Sequence, residues 1–90
     1  MSLKKLIAGN WKMNGNINLI ETFAKTFLDV KFSEQIEVVI CPPFTHLEKA
    51  FGKFKEIGIK VGGQDCHHAT NSAHTGDVSS EMLSECGGSY

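Results

Sequence analysis

Lys12 is the side chain with the clearest chemical potential in these 90 residues. It follows Leu6-Ile7-Ala8-Gly9-Asn10, a run that reads as a buried strand ending in a polar amide. Desolvating an unpaired ammonium is costly, so a lysine at the mouth of such a strand gains only when an anion comes to meet it. At an effective dielectric of about 20, unit charges ~4 Å apart attract by about 4 kcal/mol. Realised only in a transition state, that is on the order of a thousandfold in rate. The plainer alternative is a solvated lysine after a strand, which spacing alone favours.

Cys66, His67, His68 and His74 are the densest group of metal-capable side chains, and Cys41 or Cys86 could join them. Paired ligands at short recurring intervals are missing, so no metal site is expected, and the cysteines read as small hydrophobes. Gly9-Asn10-Trp11-Lys12 and Gly62-Gly63 could suggest amides around a nucleotide phosphate. Neither the P-loop nor the dinucleotide pattern can be written through them.

With 41% hydrophobic and 21% charged residues, the chain has enough apolar material for a core. A net charge of −1 argues against a nucleic-acid partner. No apolar run approaches the about 18 residues that span a bilayer, and Met1-Ser2-Leu3-Lys4-Lys5 leads into only a short apolar stretch before Asn10, so no secretory leader is expected. Three cysteines without framework spacing suit a reducing compartment. The expected location is cytoplasmic.

A strand-like run followed by a helix-like run occurs three times, which predicts α/β architecture with a parallel sheet. The strands are residues 5–10, 36–41 and 59–63, and Pro42-Pro43 ends the second because proline has no amide hydrogen for the ladder. Ile20, Phe23, Ala24, Phe27 and Leu28 recur at helical spacing, which with a capping box at Asn18 and Glu21 predicts a helix over 18–31. Thr45 with Glu48 predicts a second capping box, followed by an apolar stripe of Leu47, Ala50, Phe51, Phe54 and Ile57 and a stop at Gly58. Ser79 caps a short third helix carrying Met82, Leu83 and Cys86, broken by Gly87-Gly88. Residues 64–78 show no period. A loop of that length inside a compact domain is usually functional or disordered.

Ala8-Gly9-Asn10-Trp11-Lys12-Met13-Asn14-Gly15 is similar to the opening motif of the triosephosphate isomerase family. Cys41-Pro42-Pro43-Phe44, Gly63-Gln64-Asp65-Cys66, Thr75-Gly76-Asp77-Val78-Ser79 and Glu81-Met82-Leu83 resemble that family's next landmarks, in order. The resemblance covers the whole chain. It implies a TIM (β/α)8 barrel, of which residues 1–90 are a partial domain, the first three strand–helix units, since such barrels run to about 250 residues. A fourth strand would begin near Tyr90.

The resemblance also implies a reaction: dihydroxyacetone phosphate and glyceraldehyde 3-phosphate interconverting by proton transfer, in glycolysis and gluconeogenesis, without metal or organic cofactor. Lys12 would meet the substrate phosphate and the charge that develops beside its carbonyl, and Asn10 would bind substrate from the same strand end. Both would then point into the barrel with Leu6 and Ala8, while Ile7 and Trp11 turn toward the helices. Thr75, Gly76 and Asp77 would form the tip of the projecting loop through which the family makes homodimers, the alternative being an ordinary exposed turn. Asp77 stands where the family commonly has glutamate, and His74 where it often has tyrosine. Gln64 reads as a hydrogen-bonding support for the groups that touch substrate, Asp65 as a turn residue and Trp11 as packing. The family's glutamate base, histidine electrophile and closing loop have no counterpart in these residues. The 90-residue chain is therefore expected to be inactive alone. The rival expectation is a non-enzymatic module that acts by assembling with the rest of a barrel or by self-association.

Overall fold

The computed structural model describes residues 3–90. Its order is β1 (Lys5–Asn10), α1 (Ile17–Thr26), β2 (Ile36–Cys41), α2 (Phe44–Phe54), a 3-10 turn (Lys55–Ile57), β3 (Ile59–Val61) and α3 (Ser80–Glu85). The three strands pair in parallel in sequence order, with Ile7 opposite Val38 and Val38 opposite Ile59. Regular pairing in β3 stops at Val61, although the Gly62 amide still donates to Ile40 O at 3.0 Å. Beyond α3, Gly88 bridges Val61 in parallel, Ser89 N–H donates to Val61 O, and Gly63 N–H donates to Tyr90 O. Residues 88–90 thus lie along β3 where a fourth strand was expected.

The core is built around α2. Leu47, Ala50 and Phe54 are buried against Ile40, Ile59 and Val61 of the sheet, with Ile20 of α1 and Leu83 of α3 closing the cluster. Phe54 is wholly buried, and truncating it to alanine would cost about 3–5 kcal/mol, a large share of a small domain's stability. The principal extents, 44 × 37 × 19 Å, are those of a slab one sheet and one helix layer thick.

Local capping differs from the expected pattern in two helices. In α1 the cap is Asn16, not Asn18: Asn16 is extended (φ −158°, ψ 179°) and its Oδ1 accepts Leu19 N–H at 2.8 Å. Gly15, at φ +99°, turns the chain into this cap, and a Cβ there would lie 2.8 Å from the Trp11 ring. The helix also ends five residues early. Thr26 Oγ1 back-bonds to Thr22 O, and Phe27 leaves the helix to pack on Phe23 and Phe32, so Leu28 is 66% exposed rather than part of the stripe. In α2 the cap is Pro43, which offers no side-chain acceptor, and Thr45 bonds to His46 Nδ1 instead of forming the box. Proline at the boundary starts the helix one residue before threonine could cap it. Gly58 (φ +76°) stops the second helical segment and Ser79 caps α3, accepting from Met82 N–H. Gly87 follows α3 at φ +99°, its Cα so close to Phe51 that a Cβ would fall 2.2 Å from the ring.

Ile7 departs further. Its register places it on the helix-bearing face beside Val38 and Ile59, yet it is 54% exposed. Helix α2 packs on β3 and α1 leans on α2, so no β1 residue joins the core. On the opposite face Leu6 is 51% exposed, but Val39 is only 1% exposed. Beside it Glu37 pairs with Lys60 and accepts the Tyr90 hydroxyl, so the centre of that face is tied down by polar side chains.

Candidate functional site

The end of β1 is bound into a compact polar turn. Trp11 N–H donates to Cys41 O at 3.1 Å, carrying the β1–β2 ladder one step past the strand. The Trp11 ring then packs edge-on against Phe23 and Phe54, at centroid distances of 5.9 and 6.3 Å. With the ring anchored in the helix layer, the next residue must reverse direction. Lys12 does so at φ +56°, the one described non-glycine residue in the left-handed region. For a residue with a Cβ this costs on the order of 1–2 kcal/mol and persists only where neighbours over-determine it.

Three side chains supply that restraint. Asn10 Oδ1 accepts the Lys12 amide at 2.8 Å. Gln64 Nε2 donates to Lys12 O and to Cys41 O, both at 2.9 Å, so one carboxamide ties the β1 turn to the end of β2 from beyond β3. Asn14 Nδ2 donates to Trp11 O at 3.0 Å. Asn10, Lys12 and Gln64 therefore converge at the C-terminal ends of the strands. Asn14 was not singled out by sequence reasoning, and its only signal is the short polar side chain that favours turns.

Lys12 is exposed, and among the described residues no carboxylate pairs with it. Asn10 commits its oxygen to the Lys12 backbone, while its Nδ2 makes no hydrogen bond to another described residue. An unpaired ammonium and an unused amide donor on one strained turn can bind an oxyanion. The walls are incomplete: a hollow of about 530 Å³ along α2 and the 3-10 turn, from Thr45 to Glu56, is lined by neither residue. Cys41, half-buried beside this turn, has its thiol pushed up by burial, partly offset by the Gly62 amide, so it stays protonated near neutral pH and is a poor nucleophile. All three cysteines are free.

Thr75, Gly76 and Asp77 lie elsewhere, exposed in the loop after β3 with Gly76 at φ +87°. No hydrogen bond or ion pair joins them to Asn10 or Lys12 among the described residues. The loop closes on itself, with His67 N–H donating to Val78 O at 2.7 Å and Asp77 Oδ2 3.9 Å from His67 Nε2. Asp65 turns the chain by accepting Cys66 N–H. His67, His74 and Asp77 bring ligand-capable atoms within 4.8 Å of one another, without any of the cysteines. Ala69 N–H donates to His67 Nδ1, however, so the neutral ring carries its hydrogen on Nε2 and offers no lone pair toward Asp77. The ring is set up to donate, not to ligate.

A sequence model of triosephosphate isomerase matches residues 5–90. The chain is 43% identical over 89 residues to triosephosphate isomerase of Aquifex aeolicus, covering 98% of this chain and 36% of that protein. It is 44% identical over 87 residues to the enzyme of that name from Granulibacter bethesdensis, covering 94% and 35%. A relative of the same name from a Ruegeria species is 44% identical over 90 residues, covering 97% and 34%. The chain thus spans about a third of the length of these curated relatives. On the match across β1 to α3 and on these identities, the chain belongs to the triosephosphate isomerase family.

Proposed function

We propose that these residues are the N-terminal part of an enzyme that interconverts dihydroxyacetone phosphate and glyceraldehyde 3-phosphate, with Asn10 and Lys12 on the substrate. The observation that carries the reading is the left-handed backbone of Lys12, held by Asn10 and Gln64. Strain retained under three restraints fixes the direction in which the Lys12 side chain leaves the backbone, and preorganised charge is what stabilises a developing oxyanion at little reorganisation cost. Asn10 serves from the same turn through its free donor. The proton transfers need a base and an electrophile that these 90 residues do not supply, and no metal or organic cofactor is required. The chain alone is accordingly inactive. In the assembled enzyme the partners are the triose phosphate and a second copy docked through Thr75–Asp77, in the cytoplasm, without nucleic acid or membrane. No helix among the described residues is long and apolar enough to cross a membrane.

A coupled isomerase assay on the purified chain tests the inactivity: turnover that survives mock purification and vanishes in Lys12→Ala would overturn it. A second reading, assembly without catalysis, is favoured by the exposure of Leu6 and Ile7 on opposite faces of β1 and by the pairing of residues 88–90 with β3. A polypeptide carrying the remaining strand–helix units would then bind the chain and protect β1 amides from exchange.

A further inference from the structure

We propose that the His67–Ala69 turn, at the start of the loop of residues 66–78, is latched by the neutral His67 ring and released when that ring is protonated. Four groups converge on the ring. Ala69 N–H donates to Nδ1 at 3.0 Å, a bond that exists only while Nδ1 keeps its lone pair. His68 stacks on one side at 4.4 Å between centroids and 26° between planes, and His74 lies at 4.5 Å and 37°. Asp77 Oδ2 stands 3.9 Å from Nε2. The backbone of the same residue closes the loop, since His67 N–H donates to Val78 O and His67 bridges Ser79.

An imidazolium carries hydrogen on both nitrogens. At Nε2 the second charge state is tolerated, because Asp77 Oδ2, 3.9 Å away, attracts the cation. At Nδ1 it is not: the new N–H would face the Ala69 N–H, donor against donor. Any charge on His68 or His74 would add repulsion inside the stack. From α3 and its cap, the loop meets Ser79 and Met82, neither titratable, around a cavity of about 110 Å³. The acidic residues of that helix, Glu81 and Glu85, are exposed and make no ion pair with the ring. The latch is therefore selected at Nδ1 alone: acid opens the 67–69 turn and leaves the backbone bond from His67 to Val78 in place.

Long-range ¹H–¹⁵N spectra of the chain, together with the exchange protection of the Ala69 amide, test this from about pH 8 to about pH 5, the range in which histidines change charge. Expected are the Nε2–H tautomer of His67 at the alkaline end and a loss of Ala69 protection on the order of tenfold as His67 gains its second proton. His67→Gln, whose carboxamide oxygen can still accept from Ala69 but does not titrate, should hold its protection constant. The opposite tautomer at pH 8, or protection in the wild type that does not move with His67 protonation, would overturn the latch; these spectra need no variant. A consequence for association rests on the proposed role of Thr75–Asp77. Sedimentation of the assembled protein should show a smaller mass at pH 5 in the wild type and not in His67→Gln. Protection that falls at constant mass supports the latch and removes the loop from the interface.

Discussion

Gln64 donates to the carbonyl of Lys12 at 2.9 Å across 52 positions of sequence, and a second bond from the same nitrogen reaches Cys41. The strained turn after β1 is thus referenced to the ends of β2 and β3. The direction in which the Lys12 side chain leaves the backbone is a property of the sheet, not of the loop that carries it.

Replacing Gln64 by leucine removes both bonds at an exposed site, where each contributes about 0.5–1.5 kcal/mol. The expected result is a loss of about 1–2 kcal/mol by urea denaturation. In an assembled enzyme, kcat should fall on the order of 10- to 100-fold with little change in KM, as for loss of other supporting bonds. A drop in stability with unchanged kcat would make Gln64 structural only.

Lys12→Gly should separate stability from function. Glycine adopts φ +56° without strain, so the variant should be more stable by about 1 kcal/mol while losing the ammonium. Equilibrium unfolding in urea reads the first effect and an isomerase assay the second. A less stable glycine variant would mean that the Lys12 side chain stabilises the fold.

Some of this was legible in the sequence and some was not, for reasons that differ by residue. The strands were legible because alternation and Pro42-Pro43 bound them, and Asn10 and Lys12 because a polar pair ends an apolar run. The choice of Asn16 over Asn18 as cap was not, since two asparagines two residues apart compete on equal terms and Gly15 decides between them. The left-handed turn at Lys12 leaves no mark in residue type, and the partners of Gln64 are backbone carbonyls that every residue possesses. The Glu37–Lys60–Tyr90 group needs the strand register before it can be seen.

That group sets a pH window. Lys60 first and Tyr90 second hold the Glu37 carboxyl below its ordinary value of 4.5. The same contacts with Glu37 push Lys60 above 10.5 and Tyr90 above 10.0. A lowered carboxylate contributes stability that is present above its unfolded value and lost as pH falls through the folded one. The raised lysine and phenol contribute stability present below their unfolded values and lost as pH rises through the folded ones. Thermal midpoints should therefore be flat between about pH 5 and 9.5 and fall on both sides, as far as these groups decide them. Glu37→Gln should soften both limbs; limbs identical to wild type would show that solvent screens the group out.

Deleting residues 73–77 removes Thr75, Gly76 and Asp77 while leaving the His67 to Val78 bond that closes the loop. In the assembled protein the deletion should give monomers by sedimentation, with reduced turnover. A deletion variant that stays dimeric would place the interface on another surface.

The most direct measurement joins residues 1–90 to the remaining strand–helix units of the Aquifex aeolicus relative and compares kcat/KM for Lys12, Lys12→Ala and Lys12→Arg in that active chimera. The account predicts a loss on the order of a thousandfold or more for alanine, with arginine restoring charge but not position and recovering only a small part. Alanine at near wild-type efficiency would contradict it, because the strained turn held by Asn10 and Gln64 would then carry an ammonium that does no chemistry.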